Sequence, residues 1–198
     1  MRKIIVLEFL SLDGVMQAPG GSKEDEAEGF KYGGWTSPFF DDEAGKKMEE
    51  QMAGEYDLLL GRKTYDIFAN YWPTHAEEFW PQVNKITKYV VSANIKETPW
   101  ENTKILKNVE DIKKLKEEDG TPLQIYGSGN LIQTLLKHDL VDELWLKIFP
   151  VTLGPGKKLF EDGTMPAEWK LIKGEITHNG VVFASYKRDG EVKTGEVG

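Results

Sequence analysis

Short apolar runs and helical patterns alternate along the first two thirds of the chain. The runs are typical of buried strands and occupy residues 4–9, 57–60, 89–92, 103–106 and 123–126. Between or after them, apolar spacing or capping residues predict helices over residues 41–53, 63–69, 75–83, 109–120 and 130–137. Met48 and Met52 share the apolar face of the first helix and are expected in the core. Strands that alternate with helices in this way predict a mostly parallel sheet with helices on both faces.

The pattern changes in the last third, where strands follow one another directly. Residues 144–149 alternate in the manner of a strand, and residues 169–176 and 181–186 form two more. Asn179-Gly180 is a strong hairpin signal between the last two. We therefore predict an α/β fold in three layers, with antiparallel strands added at one edge of the sheet.

One late strand also bears on oligomerisation. Trp145, Lys147 and Phe149 share one face of it, and exposed aromatic side chains on a strand often meet a partner. This face predicts a homodimer, unless the chain's own helices cover it.

Length, charge and composition narrow the function. The 198 residues suit a single domain, which we place at residues 1–188 with a polar, flexible tail at 189–198. A net charge of −8 makes nucleic acid a poor partner, and the absence of cysteine excludes disulfides and cysteine-based zinc sites. No stretch approaches the roughly 18 apolar residues of a membrane span. We expect a cytoplasmic protein without a membrane partner, and the three scattered histidines predict no metal site.

The first candidate binding element begins at Gly61. A buried strand ends there and a helix starts at once, so free backbone N–H groups would favour an anion. Arg62 and Lys63 add positive charge that suits a phosphate. The alternative is a turn glycine followed by two solvated basic residues.

The second element repeats this arrangement at residues 126–132. Gly127 and Gly129 would let the backbone approach a pyrophosphate, and the helix start would supply N–H donors. Ile132 stands where a full Gly-x-Gly-x-x-Gly motif has its third glycine, so a tight strand–helix turn is the alternative. One dinucleotide could use both elements.

These elements resemble a known family. Gly61-Arg62-Lys63-Thr64-Tyr65 and Tyr126-Gly127-Ser128-Gly129 resemble the corresponding segments of dihydrofolate reductases. Ser11-Leu12-Asp13-Gly14 and the segment 149–156 resemble the reductase domain of the riboflavin-biosynthesis deaminase/reductase. The order and spacing agree over residues 2–187, and the chain is most similar to the stand-alone bacterial members of this dihydrofolate reductase-like group.

The resemblance implies a cytoplasmic NADPH-dependent oxidoreductase with a small-molecule substrate. Arg62 and Thr64 would hold the adenosine 2′-phosphate end, with help from Ser92. The cofactor-binding residues would be Gly14, Gly61, Arg62, Lys63, Thr64, Ser92, Gly127, Ser128, Gly129, Asn130 and Leu131. Asp13 and Gly14 would lie near the nicotinamide, and residues 15–34 would form a mobile lid. The charged segment 23–28 of this loop is expected to be a solvated face.

For catalysis and substrate binding, the sequence leaves two alternatives for each candidate residue. Asp13 would donate a proton, or would only make a turn. Trp35, Phe39 and Tyr65 would line an aromatic substrate pocket, or would belong to the core. The helix carboxylate of dihydrofolate reductases aligns with Gly45 here.

The substrate therefore stays open. The resemblance implies hydride transfer to a small heterocyclic or carbonyl substrate. Candidates are a pterin-like ring, or a riboflavin precursor such as 5-amino-6-(5-phosphoribosylamino)uracil. The deaminase half of the riboflavin enzyme is absent, since it needs cysteine ligands for zinc. The alternative function is a non-catalytic nucleotide-binding module that keeps only the cofactor site.

Overall fold

The computed structural model describes residues 1–197, apart from the side chain of Glu78. All the strands join one eight-stranded sheet in the order β4-β3-β2-β5-β1-β6-β8-β7. The strands are β1 (Ile4–Ser11), β2 (Asp57–Gly61), β3 (Lys88–Val91), β4 (Thr103–Leu106), β5 (Leu123–Tyr126), β6 (Glu143–Phe149), β7 (Glu168–Ile176) and β8 (Val182–Gly190). The strands β1 to β6 pair in parallel, whereas β8 pairs antiparallel with both β6 and β7.

Four helices cover the sheet, and they are α1 (Asp42–Met52), α2 (Arg62–Phe79), α3 (Val109–Glu117) and α4 (Gly129–Lys137). The side chains of β1 show how the layers form, because alternate residues of a strand point to opposite faces. Val6 packs with Ile112 of α3 and Leu135 of α4, whereas Phe9 packs against the cluster that contains Ala44 of α1. The predicted three-layer α/β fold, with a mostly parallel sheet and antiparallel strands at its C-terminal end, is confirmed.

Two helices that the sequence predicts as separate form one continuous helix, α2. We expected a break at Pro73, between helices at 63–69 and 75–83, but α2 continues through it. Proline removes one intrahelical hydrogen bond. Edge-to-face contacts of Phe68 with Trp72 and Trp80 hold the turns on both sides of it. Side-chain packing therefore overrides the local helix-breaking signal.

The strand face that suggested a dimer is covered by the chain itself. Lys147 and Phe149 are each only 1% exposed. Phe149 packs edge-on against Trp35 and Phe39. The alternative, that the chain itself covers this face, therefore holds for these two residues, whereas Trp145 is half-buried. The homodimer remains a prediction without that support.

The C-terminal end of the chain differs slightly from the predicted boundary. The strand β8 extends two residues past the predicted boundary at 188, and Gly198, the end of the predicted tail, lies outside the described residues. The single domain and its tail remain predictions.

Within residues 1–197, none of the helices combines the length and the apolar character that crossing a bilayer requires.

Candidate functional site

A cavity of about 1720 Å³ opens beyond the carboxyl ends of β1, β2 and β5. Ligands bind at this edge in open parallel sheets. Sites for one drug-sized ligand usually measure about 300–1,000 Å³. The cavity therefore has room for two ligands side by side, and its walls differ in kind from one end to the other.

At one end, the two predicted binding elements meet. The backbone N–H of Gly61 donates to Ser128 Oγ over 2.8 Å, which ties the end of β2 to the turn after β5. A Cβ added to Gly61 would lie 2.9 Å from the Ser128 Cβ, so only glycine allows this approach. We call this end, formed by residues 61–64 and 127–131, the cofactor half.

The start of α4 leaves its first N–H groups available. Its N-cap residue Ser128 makes no capping bond to the helix, because its hydroxyl accepts from Gly61 instead. Both Gly127 and Ser128 have positive φ, which turns the chain sharply into α4. Among the described residues, no oxygen accepts from the N–H groups of Gly129, Asn130 or Leu131, and such helix starts favour anions.

The start of α2 adds positive charge beside these N–H groups. Arg62 and Lys63 both line the cavity. Arg62 Nε lies 2.8 Å from the carboxylate of Asp66, and Lys63 Nζ lies 3.4 Å from that of Asp25. Lys157 also pairs with Asp25. The cations at this end are therefore held by exposed or half-buried carboxylates that an anionic ligand would have to displace.

The loop after β1 covers this end, as a lid would. Most of residues 16–28 line the cavity. We expected residues 23–28 to be a solvated face, but Asp25 pairs with the two lysines. Glu24 accepts from the backbone N–H groups of Gly20 and Gly21. These contacts order the loop against the cofactor half.

Nine of the eleven predicted cofactor-binding residues line the cavity together, and they are Gly61, Arg62, Lys63, Thr64, Gly127, Ser128, Gly129, Asn130 and Leu131. Gly14 and Ser92 lie outside its walls. Gly14 uses its carbonyl to accept from the Leu159 N–H, and Ser92 Oγ accepts from the Asn94 N–H. Their roles toward a cofactor find no support in this placement.

Asp13, the predicted proton donor, also lies outside the cavity walls. Its carboxylate accepts from Ser11 Oγ and from the backbone N–H groups of Leu153 and Gly154, at 3.1 and 2.7 Å. The Ser11 hydrogen bond, with those of the two N–H groups, lowers the pKa of Asp13 to about 2. A carboxylate held in this way stays ionised at neutral pH, so the structure gives Asp13 the role of joining two loops.

The other end of the cavity is apolar. The helix α1 presents Met48 and Met52 to it, four residues apart on one face, and α2 presents Phe68 and Trp72 in the same way. Phe40 and Tyr126 complete the wall. We call this end, between α1 and residues 67–79 of α2 with the following Trp80, the substrate half. The two methionines were expected in the core, but they are half-buried and line this space.

The predicted aromatic pocket residues belong to the core instead. Trp35 and Phe39 surround Phe149, and Tyr65 is 1% exposed with its hydroxyl facing Thr103 and the Trp100 N–H. None of the three lines the cavity. The aromatic character of the site was expected, but other residues supply it.

Glu8 is the residue that the sequence patterns missed. It is 2% exposed, lines the cavity, and accepts from the Gly127 N–H through Oε1 over 2.7 Å. Burial raises its pKa to about 8. The sequence signal that could have identified Glu8 is a single carboxylate inside the otherwise apolar strand β1.

Within the described residues, no group of His, Asp or Glu side chains has the geometry of a metal site.

The chain has curated relatives in Bacillus subtilis (strain 168). The uncharacterized protein YyaP is 34% identical over 139 residues, which cover 67% of this chain and 74% of YyaP. The uncharacterized protein YwjB is 26% identical over 191 residues, which cover 94% of this chain and 98% of YwjB.

Solved structures share the fold at low sequence identity. A candidate riboflavin biosynthesis protein from Shewanella sp. PV-4 has a TM-score of 0.64 at 21% identity, covering 94% of this chain and 99% of that one. A pyrimidine reductase-like protein from Corynebacterium diphtheriae has a TM-score of 0.61 at 13% identity, covering 96% and 93%. Dihydrofolate reductase from Enterococcus faecalis, complexed with NADP(H) and RAB-propyl, has a TM-score of 0.59 at 14% identity, covering 94% and 96%.

The family assignment rests on the match over the whole domain. The profile of the RibD C-terminal domain matches residues 2–183, which include every strand except the end of β8. The fold is that of the dihydrofolate reductases, as the sequence motifs indicated. The chain belongs to the RibD C-terminal domain family.

Proposed function

We propose that this protein is an NADPH-dependent reductase that transfers a hydride to a small, flat ring substrate. The observation that carries the proposal is the division of one cavity into a half with free N–H groups and cations and a half with aromatic walls. A dinucleotide phosphate and a ring need these two environments next to each other.

The cofactor half fits the pyrophosphate of NADPH. The first N–H groups of α4 suit phosphate oxygens, and those of α2 lie beside them because Gly61 and Ser128 are joined. Arg62 would bind the 2′-phosphate, which distinguishes NADPH from NADH. Bound there, NADPH supplies the hydride, while the residues of the protein orient the ring and exclude water.

The substrate half favours a ring without a phosphate group. Its walls come from α1, residues 67–79 of α2, Trp80, Phe40 and Tyr126. Among the described residues that line this half, none is a lysine or an arginine. The cations that line the cavity are Lys23, Arg62, Lys63 and Lys157. Lys23 belongs to the lid loop, Arg62 and Lys63 to the start of α2, and Lys157 to a later loop that is held to the lid by its ion pair with Asp25. A buried phosphate without a positive partner is costly. This favours a pterin-like ring over a phosphoribosyl riboflavin precursor.

The second candidate is a nucleotide-binding module without chemistry. The observation in its favour is Gly45, which lines the cavity on α1 at the place where the resemblance puts a catalytic carboxylate. The nearby Asp41 caps α1 by accepting from the Ala44 N–H over 2.8 Å, so it does not replace that group. The reductase proposal therefore needs a proton from elsewhere.

The test is binding and turnover with matched ligands. We expect NADPH to bind more tightly than NADH, and 7,8-dihydropterin to be reduced in preference to 5-amino-6-(5-phosphoribosylamino)uracil. Following NADPH fluorescence and absorbance measures both steps. NADPH binding without turnover of either ring would favour the module, and equal affinity for NADPH and NADH would contradict the cofactor assignment.

A further inference from the structure

The carboxyl group of Glu8 lies where the two halves of the cavity meet. The strand β1 runs beside β5, and its Leu7 pairs with Tyr126, the last residue before the cofactor turn. The next residue on each strand brings Glu8 against Gly127, whose N–H donates to Oε1. One carboxyl oxygen is thus fixed to the turn that we assign to the pyrophosphate.

The other oxygen of Glu8 faces the cavity. Among the described residues, no donor reaches Oε2 with the geometry of a hydrogen bond, and this oxygen is not fully enclosed by the protein. Since Glu8 is 2% exposed and lines the cavity, the accessible part of Oε2 opens into it. A buried polar atom without a protein partner is available to a ligand.

The surroundings of Glu8 favour its neutral form. Burial is the largest influence and raises the pKa of Glu8 to about 8, and the charge of Glu24 in the lid raises it as well. The backbone N–H groups of Gly127 and Phe9 and the charge of Lys147 on β6 act in the opposite direction and lower it. Lys147 is itself buried, and burial lowers its pKa to about 7. No cation of the described residues lies within ion-pair distance of Glu8.

We propose that Glu8 is the acid that protonates the substrate as the hydride arrives, an inference that rests on the proposed reductase function. The substrate's C=N or C=O carbon takes the hydride with both its electrons from the reduced nicotinamide, which is thereby oxidised. The Glu8 O–H bond breaks, and the adjacent nitrogen or oxygen of the substrate takes the proton. Glu8 is left as a carboxylate and regains a proton from water.

Other carboxyl groups near the cavity suit this step less well. Asp13 is outside the walls and ionised, and Glu24 is engaged by Gly20 and Gly21. Glu49 is exposed on α1. Among the described carboxyl groups, only Glu8 combines burial, a fixed position beside the cofactor turn and an oxygen that is open to the cavity.

The first experiment observes the proton directly and needs neither a substrate nor a variant that turns over. Infrared spectra of the protein between pH 4 and pH 10 should show a carboxylic acid band that titrates with a midpoint near pH 8, because burial raises the pKa of Glu8 to about 8. The band should be absent in Glu8→Gln and present in Glu143→Gln, a matched control because Glu143 is another buried strand carboxylate, outside the cavity. A midpoint in the ordinary range of about 4–5 would overturn the proposal.

The second experiment measures the consequence for catalysis. With NADPH and 7,8-dihydropterin, Glu8→Gln should lower kcat by about 10²–10⁴-fold, remove the fall of the rate above about pH 8, and keep the affinity for NADPH. Glu143→Gln should match the wild type. An unchanged kcat and pH profile in Glu8→Gln would overturn the role of Glu8 alone.

A failure of the proposed function has a different signature. A wild-type protein that does not bind NADPH would remove the reductase proposal, whatever the state of Glu8. If the cofactor and 7,8-dihydropterin both bind, the Glu8 band should shift on addition of the ring. A band that does not move would overturn the contact between Glu8 and the substrate, even where turnover is too slow to measure.

Discussion

The two halves of the cavity are built in different ways. The cofactor half consists mainly of backbone, supplied by two strand–helix turns whose residues are contiguous in sequence, 61–64 and 127–131. The substrate half consists of side chains from two helices, such as Met48 of α1 and Trp72 of α2, that only the fold brings together. A backbone site tolerates few changes, whereas a side-chain site can change its ligand one residue at a time.

The halves also differ in charge. Arg62 and Lys63 lie at the cofactor half, where the lid carboxylates Glu24 and Asp25 also lie, while the substrate half has Glu49 at its rim and meets the cofactor half at Glu8. An anionic dinucleotide that displaces the lid carboxylates and a neutral ring would therefore be distinguished by electrostatics as well as by shape. The first three predictions below each test this difference by changing one half, and the last changes a residue outside both.

The largest effect is expected from Gly129→Val. A Cβ at Gly129 would find only Met16 Sδ within 4 Å, at 3.8 Å, so the fold has space for it. A valine side chain there would stand over the free N–H groups of α4 and block a pyrophosphate. We expect NADPH affinity to fall by about 100-fold or more, as losing several charge-assisted hydrogen bonds implies, while the circular dichroism spectrum stays that of the wild type.

Gly54→Val is the matched control, because Gly54 also has open space at its Cβ and lies away from the cavity. It should bind NADPH normally. Gly127 would be a poorer choice, since its positive φ would strain any other residue. Normal NADPH affinity in Gly129→Val would move the pyrophosphate away from this turn.

Arg62→Ala should have the next largest effect, and only on one cofactor. Losing a charge-assisted contact to the 2′-phosphate costs about 1–3 kcal/mol, which is about 5- to 150-fold in the dissociation constant. NADH lacks that phosphate, so its affinity should hardly change. Fluorescence titration with both cofactors measures the difference, and an equal loss for both would show that Arg62 does not distinguish them.

The difference between the halves also explains what could be predicted from the sequence. The turns at Gly61 and Gly127 follow from glycines at the ends of apolar strands, and such signals are local. Met48 was expected in the core because helical spacing identifies an apolar face and leaves open what covers it. Glu8 was missed for the same reason, since an apolar run predicts a buried strand whether or not one residue faces a cavity.

Side-chain packing explains two features of the fold that differ from the sequence-based prediction. Pro73 marks a local break, but the aromatic side chains on both sides of it keep α2 continuous. Lys147 alternates as a surface residue would, and yet it is buried over the ring of Phe9. The burial of Lys147 depends on a contact between segments distant in sequence, and the continuity of α2 depends on aromatic packing between its own turns. Periodicity alone contains neither.

Phe40→Ala tests the substrate half at a smaller scale. Phe40 lines the cavity and is 45% exposed, so its loss should cost the fold little. Removing one aromatic contact of about 0.5–1.5 kcal/mol should weaken binding of 7,8-dihydropterin by about 2- to 13-fold, and NADPH affinity should stay the same. Phe160→Ala is the matched control, at 44% exposure and outside the cavity. A larger loss for NADPH than for the ring would contradict the assignment of the two halves.

The smallest effect on turnover is expected from Asp13→Asn, which tests a residue outside both halves. Asp13 accepts from Ser11 and from two N–H groups of residues 153–154, so its work is structural and asparagine should change turnover by less than about threefold. One side-chain N–H₂ group would replace an acceptor there, which should lower the free energy of unfolding by about 1–2 kcal/mol at neutral pH.

The pH dependence of that loss identifies its cause. The folded protein lowers the pKa of Asp13 from 3.8 to about 2, so the ionised carboxylate stabilises the fold above pH 3.8 and ceases to do so as the pH falls through about 2. The stability difference between the wild type and Asp13→Asn should therefore shrink in acid, whereas Asp162→Asn, at an exposed loop aspartate, should show no difference at either pH. Urea denaturation at two pH values measures it. A large fall in kcat with unchanged stability would instead return Asp13 to the reaction and would weaken the case for Glu8.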